Sequence, residues 1–188
     1  MDDDRDDPAD PTLPIETRLR IVPRFLVGLA LGLAMAQQAY LSSYRIAGNS
    51  MTPAFLDGDR VVVAKSAGFL GEPHCGEAII AEVEGEIVIK RVAGTPGDVV
   101  ELQHGQLRRN GQRVLDPIPD GYRDASDFGP RRLGGDEYFL LGDHRRVSID
   151  SREFGPVARD HIVGRVMLRV PARTAPPSAG AAARRRTP

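Results

Sequence analysis

After Tyr44 the chain alternates short apolar runs with turn-forming residues, and before it lies one longer apolar stretch. The short runs are DGDRVVVAK (57–65), GEAIIAEV (76–83), EIVIKRVAGTPGD (86–98), EYFLLGD (137–143) and HIVGRVMLRV (161–170). They are rich in Val and Ile and bounded by Gly, Pro and Asp, which predicts strands: branched side chains suit a pleated, half-buried surface, and the bounding residues interrupt it. Between Asp98 and Tyr138 the pattern turns polar, with Asn110-Gly111-Gln112, Asp116-Pro117, Pro119-Asp120-Gly121 and Gly134-Gly135. These punctuators suit a small hairpin and loops inserted into the main sheet. The expected fold is mostly β: an antiparallel sheet body over 42–170, with a hairpin and loop insert at 99–137.

The earlier stretch, Phe25 to Leu41, is apolar except for Gln37 and Gln38. As a helix it spans roughly 25 Å of a ~30 Å hydrocarbon core, and taking in Ile21 and Val22 lengthens it. A single transmembrane anchor over 21–41 is therefore expected, preceding the β body. Arg18, Arg20 and Arg24 lie before it and only Arg45 follows closely, so the positive-inside rule puts the N-terminus in the cytoplasm and the remainder outside. Two alternatives stay open: a buried core helix, and removal of the segment after Ala36, where Ala34-Met35-Ala36 has the small-x-small form of a cleavage site.

Composition adds the tails. Residues 1–20 begin with an acidic, Pro-containing run and are expected as a cytoplasmic tail, while the Pro/Ala/Arg-rich 171–188 reads as a disordered one. With Cys75 the only cysteine, no internal disulfide is available. His74, His104, His144 and His161 are scattered without metal-ligand spacing, so neither metal nor cofactor is expected. Among 25 basic residues only Lys65 and Lys90 are lysine. Arg keeps its proton in a protein whereas Lys can be tuned into a base by burial, so a lysine within a strand asks for a chemical explanation.

Three segments carry candidate chemistry. In GNSMTP (48–53), directly after the apolar stretch, Ser50 alone reads as a turn residue. In the strand Val88 to Val92, alternation puts Lys90 on one face with Val88 and Val92, and Ile89 and Arg91 on the other. Apolar surroundings disfavour the ammonium, and a neutral lysine can take a seryl proton without any histidine. The third segment, LGDHRRVSIDSREFGP (141–156), packs Asp143, Ser148, Asp150, Ser151 and Arg152 into one loop. An Asp–Arg pair there could fix the loop, and Ser148 could hydrogen-bond the lysine amine. A triad of Ser50, His144 and Asp143 lacks a G-x-S-x-G elbow and leaves Lys90 unused. The pairs Asp57/Asp59 and Asp124/Asp127 flank turns, where carboxylates usually cap backbone groups.

Taken together, Ser-Met-x-Pro, Gly-Asp-Arg-Val-Val-Val, Lys-Arg-Val-x-Gly-x-Pro-Gly-Asp and Gly-Asp-x-Arg-x-x-Ser-x-Asp-Ser-Arg resemble, in order and spacing, the type I signal peptidases. The resemblance covers roughly Ile46 to Val166. It implies a β-sheet catalytic core with a Ser/Lys dyad at the outer membrane surface: Ser50 as nucleophile and Lys90 as general base. It further implies that Ser148 orients the Lys90 amine, Asp150 and Arg152 hold the adjoining loop, Met51 packs beside the dyad, and the Ser50 N–H contributes to the oxyanion hole. Three departures are visible. Gly48 stands where some members place a Ser that helps the oxyanion hole, His144 stands where Asn is usual, and the insert is short.

The implied activity is cleavage of signal peptides from exported preproteins after small, Ala-x-Ala-like residues, without a cofactor. The implied partners are preprotein signal peptides and membrane lipid. A relative specialised for one exported or conjugation substrate, and an inert membrane-anchored β module, remain as alternatives. A self-cleaving repressor would need a basic helix-turn-helix before the β body, which this sequence lacks, so no nucleic acid partner is expected.

Overall fold

The computed structural model describes residues 26–29, 32, 40–65, 71–116 and 118–172. The chain divides into two units, residues 1–40 and 41–188. In the first, residues 26–29, 32 and 40 are helical and exposed. Among the described residues no helix is long and apolar enough to cross a membrane. Most of the expected anchor, the acidic tail and 173–188 lie outside the described residues.

The second unit is mostly β, as the alternating runs predict. Its strands are β1 (Leu41–Arg45), β2 (Arg60–Lys65), β3 (Ala78–Val83), β4 (Glu86–Gly94), β5 (Val99–Gln103), β6 (Gln106–Arg109), β7 (Gln112–Arg113), β8 (Phe128–Arg132), β9 (Glu137–Leu141), β10 (Val157–Ala158) and β11 (Ile162–Val170). Seven form an antiparallel sheet in the order β1-β2-β11-β3-β4-β9-β10. The last strand thus enters the middle, pairing Leu168 with Val62 on β2 and Arg165 with Ile79 on β3. Both faces of this sheet carry apolar clusters, which is why β3 is buried along Ala78–Ala81. One face packs Met51, Val61, Val63, Ile80 and Ile89, and the other Ile79, Val92, Tyr138, Leu140 and Ile162.

The polar stretch after β4 is more ordered than a hairpin with loops, for it forms a second sheet of order β7-β6-β5-β8. Val100, Leu102 and Leu107 give this sheet an apolar face that packs on Ala93, Phe139 and Leu141 of the larger one. The sheets approach closely at Gly94, where a Cβ would stand 2.4 Å from Val100 Cγ2. Asn110 and Gly111, both with positive φ, close the β6–β7 hairpin as the Asn-Gly pair foretells.

Candidate active site

Ser50 sits in the turn that leaves β1. Ile46 N–H donates to the Asp59 carbonyl and Gly58 N–H to the Ile46 carbonyl, pinning both ends of the turn against the start of β2. Met51, beside the serine, points down into the core and is fully buried. The acidic pair Asp57/Asp59 caps backbone here: Asp57 Oδ1 accepts from Gly48 N–H at 2.9 Å and Asp59 Oδ2 from Leu56 N–H at 2.8 Å. Gly48 has φ +87°, a backbone conformation that favours glycine.

Strand β4 brings the lysine. Lys90, only 4% exposed, donates from Nζ to Ser50 Oγ at 3.1 Å across 40 residues of sequence. Val88 and Lys90 both line an open cleft of about 650 Å³, together with Ser50, Val147, Ile149 and Phe154. Desolvation by burial lowers the Lys90 pKa below its ordinary value, and the Asp150 charge opposes this.

The loop after β9 forms the other wall. Asp150, with no exposed surface, caps the single-turn helix Ser151–Phe154 and accepts from Gly142 N–H at 3.0 Å and from Arg152 Nε at 2.8 Å. Arg152 also reaches Asp124, Ser126 Oγ and the Arg145 carbonyl, so one guanidinium gathers the whole loop. His144 N–H donates to the Ser50 carbonyl at 2.9 Å, tying the loop directly to the serine. Gly142 permits this approach, since a Cβ there would lie 2.6 Å from the Ser50 carbonyl oxygen and 2.1 Å from Ser148 Oγ. The Ser148 hydroxyl, buried here, donates to the Ile149 carbonyl at 3.5 Å. The bond to the Lys90 amine expected of it is not among the hydrogen bonds of the described residues.

Ser50, Lys90, Met51, Ser148, Asp150 and Arg152 therefore converge, and Gly48 lines the same cleft. Sequence reasoning missed three ion pairs here, one of them Arg152–Asp124, whose aspartate was expected to cap backbone. Arg91, on the face of β4 opposite Lys90, bonds Asp143 with Nε–Oδ1 at 2.7 Å, and Arg145 pairs with Asp116. Asp143 was visible in the loop pattern, but its partner lies 52 residues away and only strand pairing discloses it. Among the described residues no cluster of His, Cys, Asp and Glu could hold a metal.

A serine hydroxyl facing a buried lysine amine in an open, partly apolar cleft fits a serine peptidase, and comparison with known proteins agrees. The family model described as "Signal peptidase, peptidase S26" matches residues 18–171. A Signal peptidase I of Bacillus amyloliquefaciens is 33% identical over 147 residues, covering 72% of this chain and 80% of that protein. Signal peptidase I T of Bacillus subtilis strain 168 is 35% identical over 133 residues, covering 64% of this chain and 69% of the relative. A crystal structure of a signal peptidase I from Enterococcus faecalis V583 aligns with a TM-score of 0.46 at 25% identity, over 53% of this chain and all of that one. The chain belongs to the peptidase S26 family of type I signal peptidases.

Proposed function

We propose that this protein is a membrane-bound signal peptidase that cleaves exported preproteins after small, Ala-x-Ala-like residues, with Ser50 as nucleophile and Lys90 as general base. The observation that carries the reading is the 3.1 Å separation between Lys90 Nζ and Ser50 Oγ with the lysine buried. With the amine neutral, the same separation lets the hydroxyl donate its proton to Nζ as Oγ attacks the scissile carbonyl. The tetrahedral intermediate then collapses, Lys90 returns the proton to the departing amine, and an acyl ester remains on Ser50. Water, deprotonated by Lys90, attacks the ester, and on collapse Lys90 returns the proton to the departing Ser50 Oγ as the new C-terminus is released.

The developing oxyanion is assigned to the Ser50 N–H, because Gly48 brings no side-chain donor and its own N–H is engaged by Asp57. Ser148 orients the Lys90 amine when its hydroxyl turns from the Ile149 carbonyl, while Asp150 and Arg152 keep the loop in place. The substrate lies extended along the cleft, where main-chain bonds supply affinity and shallow pockets select small side chains. Residues 21–41 anchor the catalytic domain, 42–170, at the outer membrane face with the N-terminus cytoplasmic. The membrane thereby raises the local concentration of signal peptide ends.

The test is cleavage of an Ala-x-Ala preprotein in detergent by the wild type, Ser50→Ala and Lys90→Arg, with product masses read out. Cleavage after the small residue by the wild type, and by neither variant, is expected. Activity persisting in Lys90→Arg eliminates the lysine base, and an inactive wild type points to a specialised substrate or an inert module.

A further inference from the structure

Segment 120–126, which lies between β7 and β8 of the smaller sheet, crosses directly over the loop Gly142–Arg152. It is anchored on its own side by Gly105, whose N–H donates to the Ser126 carbonyl at 2.9 Å, and by His104, whose N–H donates to Asp127 Oδ1 at 2.6 Å. Gly105 has no room for a side chain, since a Cβ there would meet the Asp124 carbonyl oxygen at 1.9 Å. On the opposite side the segment holds the loop at several points. Arg145 N–H donates to the Tyr122 carbonyl at 2.9 Å, Arg146 Nε to the Arg123 carbonyl at 2.6 Å, and Arg152 pairs with Asp124.

One contact in this strap reaches the nucleophile through a single residue. The Tyr122 ring meets the His144 ring edge-on, with centroids 4.9 Å apart and planes at 78°. His144 is the residue whose N–H holds the Ser50 carbonyl. Its Nδ1 is buried with no hydrogen-bond partner among the described residues. A buried, unpaired ring nitrogen gives the imidazole a reason to turn elsewhere, so packing against Tyr122 keeps it in place.

We propose that Tyr122 is a positioning residue for the peptidase reaction: its ring fixes His144, and through the His144 N–H it fixes the backbone of Ser50. This rests on the reading of Ser50 as nucleophile. A nucleophile displaced by a fraction of an ångström loses rate.

The test uses the full-length protein in detergent with a preprotein substrate, measuring kcat and KM separately alongside Tm. Tyr122→Ala is expected to lower kcat on the order of tenfold. Tyr122→Phe, which keeps the ring, restores kcat. In a His144→Asn background, which has no ring to hold, the effect of Tyr122→Ala shrinks, because interacting residues are not additive. An unchanged kcat in Tyr122→Ala, a Tyr122→Phe variant as impaired as the alanine, or full additivity with His144→Asn each overturns the assignment. Ser50→Ala run in parallel separates the two claims. If it is inactive while Tyr122→Ala is normal, only the strap falls; if it is active, the nucleophile and the strap fall together.

Discussion

Strand β4 around Lys90 and the loop Gly142–Arg152 press on the same serine from two sides, and they are built from opposite materials. On the strand side, Lys90 lines the cleft with the apolar Val88 and Phe154, and its amine hydrogen-bonds Ser50. On the loop side, Asp143, Arg145, Ser148, Asp150 and Ser151 are all buried polar residues, and the charged ones have opposite-charge partners: Arg91, Asp116 and Arg152. Desolvation lowers the pKa of an amine, whereas mutual pairing leaves each charge stable and its geometry fixed. In the proposed reaction the apolar wall thus supplies reactivity and the polar one alignment.

The sharpest way to break this division is Lys90→Met, which keeps a long side chain and the apolar wall but removes the proposed base. Activity is expected to fall 10²- to 10⁴-fold, roughly the share of a general base, while Tm holds or rises, since replacing a buried ionisable group by an apolar one is often neutral or stabilising. The substitution should also change how stability responds to pH. A lysine whose folded pKa is lowered binds its proton more tightly in the unfolded chain, so wild-type stability rises with pH from the lowered folded value up to the ordinary lysine value. Denaturant titrations across that window should show the rise in the wild type and its loss in Lys90→Met; equal slopes would mean that burial does not tune this amine.

Arg152→Ala attacks the other wall. It leaves the Asp150 carboxylate buried without its guanidinium, which costs about 3–5 kcal/mol of stability for a buried pair stripped of one partner. Chemical denaturation reads this directly. Loss of activity in proportion to the unfolded fraction would place Arg152 outside alignment, whereas a lower kcat in the fully folded fraction supports it. The contrast with Lys90→Met, inactive yet stable, is the expected signature of the two materials.

Much of the apolar wall was legible before the structure, and much of the polar wall was not. Period-2 alternation put Lys90 beside Val88 on one face of a strand, and the cleft lining bears that out. Alternation is a local property that fixes which face Lys90 takes, while its burial, like that of Ile89 on the opposite face, comes from the packing that covers both faces of the sheet. The pairs Arg91–Asp143 and Arg145–Asp116 join residues 52 and 29 positions apart. Their existence depends on β9 lying next to β4 and on the smaller sheet folding back over the loop. In the sequence those same arginines and aspartates look like a solvated hairpin. Tyr122 was hidden for a related reason: an isolated aromatic in a Pro-Asp-Gly turn has no periodicity to reveal which ring it meets.

The smallest expected effect tests how the polar wall acts on the Lys90 amine. Asp150 belongs to the polar side, yet its charge raises the Lys90 pKa against the stronger lowering by desolvation. Asp150→Asn keeps the acceptor oxygen and a competent helix cap while removing that charge. It also leaves more of the Arg152 cation uncompensated, and both changes disfavour the ammonium. Because the proposed base works only when neutral, the rise of kcat/KM with pH should move to lower pH in the variant, even as overall activity falls with the loosened loop. Because the folded fraction itself varies with pH through Lys90, kcat/KM is normalised to the fraction folded at each pH, which leaves the position of the rise to the titrating group alone. A rise that stays put would show Lys90 to be screened from Asp150, and a shift to higher pH would make some other group the titrating base.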